Sequence, residues 1–173
     1  MILEVGGRSA FIDSDSLHKI LSRLRPANRQ ACALALKTGL RIDDVLRLRT
    51  AALDERAANN YWLSVTESKT GKLRKVKVDK KTLSRLKAAA GAVYVFEHRC
   101  DPERHRVRQT VYKDFKRCAR DVIGVDTAAS VHSLRKVYAV EKFKETGNLQ
   151  QVQRDLNHSN ISTTALYALS DKM

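Results

Sequence analysis

The sequence predicts a mainly helical α+β domain with a small antiparallel β-sheet. Apolar residues recur at helical spacing through most of the chain, and two short runs of strand composition face each other across a polar turn. The 173 residues, 43% of them hydrophobic, suffice for one ordinary domain with a sizeable core, so a single domain over residues 1–173 is expected.

The elements follow in order. Asp13 or Ser14 can cap a helix whose apolar positions Leu17, Ile20, Leu21 and Leu24 fall at i, i+3, i+4 and i+7. Pro26 ends that helix or starts the next, which runs through Cys32, Leu34 and Leu36 and stops near Gly39. A short third helix begins with Asp43 and Asp44 and turns Val45, Leu46 and Leu48 inward, leaving Arg41 at a helix–helix junction. Residues 61–66 and 73–78 read as a hairpin with a basic tip and one basic face. Thr82 to Ala90 is a helix ended by Gly91, and residues 93–96 are a third strand or a buried connection. Residues 97–106, strongly polar and containing Pro102, read as a mobile loop. Helical spacing returns over 107–122, 132–146 with Gly147 after it, 149–156, and a last short segment bearing Tyr167.

Lys and Arg total 33 against 19 Asp and Glu, a net +14 that favours a polyanionic partner such as nucleic acid. The excess is concentrated: residues 61–120 hold 17 basic and 6 acidic side chains, whereas residues 121–173 hold 6 of each. Aromatic residues at 6% are too few for a single-strand stacking platform, which argues against a sequence-tolerant RNA binder. No apolar run approaches a membrane span and no leader pattern opens the chain, so no membrane partner and a cytoplasmic location are expected. Cys32, Cys100 and Cys118 lack the spacing of a disulfide scaffold, and His98, Cys100 and His105 match no common zinc spacing, so no metal site is expected.

Four segments could together carry phosphodiester chemistry. Attack on phosphorus builds negative charge on the non-bridging oxygens, and planar guanidiniums from Arg41 and Arg135 suit those oxygens best. Tyr167 is a candidate nucleophile if nearby cations favour its phenolate, with His132 as proton acceptor. Lys69, on the hairpin tip, could protonate the leaving 5′-oxygen, and His158 could bond a phosphate oxygen. Lys72, Arg74, Lys75 and Lys77, and then Arg104, Arg106 and Arg108, are the candidate DNA contacts.

Thr38-Gly39-Leu40-Arg41-Ile42-Asp43-Asp44, Lys69-Thr70-Gly71-Lys72, His132-Ser133-Leu134-Arg135 and Leu156-Asn157-His158 with Tyr167 occur in the order seen in tyrosine recombinases. The chain resembles a phage-integrase-type catalytic domain from about residue 14 to Tyr167, including the 23-residue step from Arg135 to His158 and the 9-residue step to Tyr167. That resemblance implies site-specific recombination of double-stranded DNA through a 3′-phosphotyrosine link and a 5′-hydroxyl, without cofactor or metal. It assigns Tyr167 as nucleophile, Arg41 and Arg135 as phosphate clamps, Lys69 as acid, His132 and His158 as supporting histidines, and Asp44 as the acidic residue that steadies the site. A homotetramer on synapsed DNA, a monomer off DNA, a missing N-terminal DNA-clamping domain and a short tail after Tyr167 are expected with it. Two positions depart from the family's pattern: Asn157 stands where glycine is usual, and Lys136 where histidine is frequent. Topoisomerase-like relaxation or a catalytically idle DNA-binding regulator are the alternatives.

Overall fold

In the computed structural model, residues 9–53 and 61–171 are described; residues 1–8, 54–60 and 172–173, which include both ends of the expected single domain, lie outside them. The element order is α1 (Ser14–Arg23), α2 (Pro26–Thr38), α3 (Ile42–Leu46), a 3-10 turn at Thr50–Leu53, β1 (Trp62–Thr66), β2 (Leu73–Lys77), α4 (Lys80–Ala89), β3 (Glu97–His98), β4 (Asp101–His105), α5 (Arg108–Ile123), α6 (Ser133–Thr146), α7 (Leu149–Leu156) and α8 (Ile161–Ala168). The mainly helical expectation holds, with eight α-helices among the described residues.

Local chemistry accounts for most boundaries. Asp13 caps α1 by accepting from Ser16 N, and Pro26 occupies the first turn of α2, where its missing N–H costs nothing. Gly39 ends α2 at φ 65°, and a Cβ there would lie 2.7 Å from the Tyr138 ring, so both its dihedral and its surroundings demand glycine. The α2–α3 junction thereby brings the Gly39 carbonyl against α6. Asp114, buried on α5, accepts from Asn28 Nδ2 at 2.7 Å, Arg25 N at 3.0 Å and Arg117 Nη2 at 2.8 Å, tying α5 to the start of α2.

The main core is built by Leu17, Ile20, Leu34, Leu46, Leu63, Val76, Phe115 and Leu134, with Cys32 and Cys118 buried as small apolar residues among them. A second, smaller cluster gathers Ala139, Val152 and Leu156 with Tyr138, Phe143 and Tyr167. It fixes α7 and α8 against α6, and so places the C-terminal tyrosine.

The β structure differs from expectation in three respects. Instead of one sheet there are, among the described residues, two two-stranded ones, β1–β2 with Leu63 opposite Val76, and β3–β4 with a bulge at Glu97–His98. Residues 97–106 are therefore a short hairpin rather than a polar loop: Glu97 accepts from Ala92 N at 2.6 Å and Tyr94 meets His105 edge-on at 5.5 Å. Pro102 is compatible because a two-stranded sheet is all edge. Residues 93–96 form a connection in which Val95 and Phe96 are buried, Tyr94 bridges antiparallel to Arg49 and Val95 N donates to Leu48 O at 2.9 Å. Lastly, the β1–β2 hairpin does not carry all its cations on one face: Lys75 and Lys77 point outward, but Arg74 alternates with them and turns inward beside Val76.

Candidate active site

Arg135 is the most buried of the candidate site's cations, 4% exposed in the first turn of α6. Its Nη1 donates to Gly39 O and its Nη2 to Leu156 O at 2.9 Å, so it joins the ends of α2 and α7. Burial, then repulsion from Arg41 and Arg74, pushes it down to about 10, and it stays charged at neutral pH. The same Nη2 lies 3.2 Å from His158 Nε2. A guanidinium can only donate, so Nε2 is the acceptor and the proton sits on Nδ1, 3.1 Å from Thr164 Oγ1. Burial first, then Arg135, Arg41 and Arg74, lower the imidazole to about 4, so His158 is neutral. Three of the five N–H groups of Arg135 are used by these contacts, and two remain for another acceptor.

Tyr167 stands beside this pair. Its ring meets the His158 ring edge-on, centroids 5.2 Å apart and planes at 90°, and Lys136 Nζ lies 5.7 Å from its centroid on the other contact. Half-buried, Tyr167 packs against the cluster of Ala139, Val152 and Leu156.

Arg41 enters from the N-terminal side. As the residue before α3 it has extended backbone, and its Nη1 lies 3.6 Å from Glu67 Oε2 and 3.9 Å from Asp44 Oδ2. Both separations exceed a good charge-assisted hydrogen bond, and Arg41 Nη1 is buried without a hydrogen-bond partner. Arg74 completes the group, with Nη2 donating to Thr38 O at 3.0 Å and Nη1 3.6 Å from Glu67 Oε1. Burial lowers its basicity.

Glu67 was not among the residues singled out from sequence. It is 1% exposed, and burial raises its carboxyl, but donation from Asn157 Nδ2 at 2.6 Å and Thr70 Oγ1 at 3.0 Å and the charges of Arg41 and Arg74 outweigh that and hold it below the ordinary range. Asp44, also fully buried, accepts from both Ser68 N and Ser68 Oγ at 2.7 Å. The sequence clue to the burial of Glu67 was the alternation of β1, whose inward Leu63 and Val65 are followed two residues on by this carboxylate.

His132 stands at the N-cap position of α6 and is solvent-exposed. Desolvation, then Arg135, Arg108 and Arg41, act in one direction and hold its imidazole below the ordinary value. Lys69 is exposed on the turn between β1 and β2, its side chain without a hydrogen bond or ion pair among the described residues. Thus Arg41, Asp44, Arg135, His158 and Tyr167 are brought into one contiguous cluster, with His132 at its rim and Lys69 on a turn tied to it. Of the candidate DNA contacts, Lys72, Lys75, Lys77, Arg104 and Arg108 are exposed, Arg74 belongs to the cluster, and Arg106 is turned partly inward with Nε buried, its basicity lowered by burial and by Arg25. No group of three or more metal-binding side chains gathers among the described residues.

Comparison with known proteins gives the same frame. The model of the phage integrase family matches residues 10–173. The chain belongs to the phage integrase family. Among curated relatives of this integrase-family chain, a tyrosine recombinase of Thermosipho africanus is 27% identical over 165 residues, 91% of this chain and 56% of its own length. The tyrosine recombinase XerD of Pseudomonas putida is 40% identical over 60 residues, 35% of this chain and 20% of its own. The chain spans about half the length, or less, of these curated relatives. Solved structures share the fold: a XerH recombinase post-cleavage complex with its difH substrate has a TM-score of 0.73 at 19% identity, over 94% of this chain and 50% of the other. The catalytic domain of bacteriophage HP1 integrase gives 0.63 at 20% identity, over 94% and 89%. The fold is that of integrase-family catalytic domains, and no helix among the described residues is long and apolar enough to cross a membrane.

Proposed function

We propose that the chain is the catalytic domain of a site-specific DNA recombinase that cuts and rejoins strands through a covalent 3′-phosphotyrosine, using its own guanidiniums in place of a metal. The observation that carries this reading is the Tyr167 ring set edge-on to a neutral His158, whose Nε2 in turn accepts from the buried Arg135. A nucleophile, a donor to the phosphate and their connecting group are thereby contiguous.

Charge balance supports it. Arg41, Arg74 and Arg135 face two buried carboxylates, Asp44 and Glu67, leaving the cluster at +1. One phosphodiester, at −1, neutralises it, and the two N–H groups left over on Arg135 suit its non-bridging oxygens. Tyr167 Oη bonds to phosphorus as the P–O5′ bond breaks; the phenol proton passes to His132, whose imidazole is held below its ordinary value by desolvation and then by Arg135, Arg108 and Arg41, and O5′ takes a proton from Lys69. Rejoining reverses these steps with a partner strand's 5′-hydroxyl.

The partner is double-stranded DNA in the cytoplasm, gripped along Lys72, Lys75, Lys77, Arg104 and Arg108, with four protomers on synapsed duplexes and monomers otherwise. A λ integrase tetramer on a Holliday junction shares this fold. The test is trapping on nicked suicide duplexes with a randomised core: a covalent adduct formed by the parent chain and abolished by Tyr167→Phe is expected. No adduct with any duplex would leave a DNA-binding regulator, and relaxation of supercoils without exchange between two duplexes would leave a topoisomerase-like enzyme.

A further inference from the structure

Resting on that function, we propose that Glu67 and Asn157 are positioning residues for the leaving-group acid, fastening the Lys69 turn to the segment that bears His158. Among the described residues nothing holds the Lys69 side chain itself, yet both of its neighbours are tied down. Ser68 is held through N and Oγ by Asp44 Oδ1, and Thr70 Oγ1 donates to Glu67 Oε2 at 3.0 Å. The turn closes on itself through Gly71 N to Glu67 O at 2.8 Å and Glu67 N to Lys72 O at 3.0 Å, with Gly71 at φ 67°.

A two-stranded hairpin tip projecting from a domain would otherwise swing, and a general acid must stay within hydrogen-bond reach of the atom it protonates. Asn157 removes that freedom. Its Nδ2 donates to Glu67 Oε2 at 2.6 Å, a short charge-assisted bond spanning 90 residues of chain. Asn157 ends α7 at φ 50°, ψ 47°, where its backbone N–H donates to Arg154 O, and the next residue is His158. The acid's turn is thus connected through Glu67 and Asn157 to the imidazole that contacts both Arg135 and Tyr167. Glycine at 157 would adopt the same left-handed backbone more easily but could not donate to Glu67. Asparagine there is explained by the carboxylate opposite it.

The step served is P–O5′ cleavage: as the bond from Tyr167 Oη to phosphorus forms, O5′ leaves with a proton from Lys69 Nζ, which becomes a neutral amine. A 5′-bridging sulfur in place of O5′ leaves as a thiolate, whose conjugate acid has a pKa of ~8.5, and needs no such proton. The experiment uses the full chain and the duplex it cleaves best from the randomised set, made with bridging oxygen or bridging sulfur. Asn157→Gly is expected to slow oxygen-linked cleavage about tenfold or more and to raise the sulfur-to-oxygen rate ratio in the direction that Lys69→Ala raises it. Thr70→Val, on the exposed turn where folding is not at stake, should raise the same ratio by a smaller factor.

Equal slowing on both duplexes, or no change in the ratio for either variant, overturns the proposal, because a general structural role does not distinguish leaving groups. Should the parent chain form no adduct with either duplex, the recombinase reading fails and this inference with it; a parent that cleaves both with variants that leave the ratio unmoved condemns the inference alone.

Discussion

His158 Nε2 accepts from Arg135 Nη2 at 3.2 Å, which makes the second histidine of the cleft a neutral ring whose tautomer is dictated by an arginine. Because His158 is held at about 4 against an ordinary 6.5, the unfolded chain binds a proton there that the folded chain does not. Its contribution to stability is full above pH 6.5 and is lost as pH falls toward 4. The depressed Glu67 carboxyl acts in the same sense, its contribution lost as pH falls through its lowered value. Urea midpoints should therefore decline between pH 7 and pH 5, and His158→Gln should flatten that decline; a midpoint independent of pH over this range would contradict the lowered basicity of His158.

Arg135→Lys keeps the charge but loses the fork. Adduct formation should fall by roughly 10²–10³-fold, the range seen when one transition-state donor is removed. Stability should fall too, since Gly39 O and Leu156 O each lose a donor at about 1–3 kcal/mol for a buried acceptor left unpaired. Paired rate and unfolding measurements separate the two losses.

Gly39→Ala tests the joint between α2 and α3. The left-handed dihedral costs a non-glycine residue about 1–2 kcal/mol, and a Cβ 2.7 Å from the Tyr138 ring adds about 1–3 kcal/mol of overpacking. A combined loss of about 2–5 kcal/mol in denaturant unfolding is expected, together with slower adduct formation because the shifted carbonyl no longer anchors Arg135. An unchanged midpoint would show that the joint relaxes freely.

Lys136→Met removes the ammonium beside the Tyr167 ring while keeping most of the side-chain volume. A cation–π contact of this kind is worth about 0.5–2 kcal/mol, so adduct formation should slow by roughly 2- to 30-fold, and Lys136→Arg should recover most of it. Retention of full rate in Lys136→Met would confine Lys136 to other contacts.

Duplex affinity should fall by about two to three orders of magnitude between 50 and 200 mM salt if some five phosphates are contacted. Lys75→Ala and Lys77→Ala should each lower the salt slope by about 1, whereas Arg74→Ala should instead impair folding and catalysis, because Arg74 faces Glu67 and not solvent. Titrations by fluorescence anisotropy on an arbitrary duplex distinguish these outcomes.

Helix spacing, caps and breakers made the architecture readable from the amino acids alone: Asp13, Pro26, Gly39 and Gly147 punctuate helices where the chain needs them, because capping and left-handed turns are satisfied within a few residues. The ordered set Arg41, Lys69, His132, Arg135, His158 and Tyr167 was legible for the same reason, as residue types at set separations along the chain. Glu67 was not, nor was the inward turn of Arg74, nor the hairpin at 97–105. Each depends on what lies opposite: Glu67 is buried because Asn157 and two arginines meet it from distant segments, and Arg74 is inward because of the register of β2 on β1. Sequence decided which groups the cleft owns, through local preferences that act over a few residues. Tertiary structure alone decided which of them touch, since a charge is tolerated in the interior only when partners from elsewhere in the chain neutralise it.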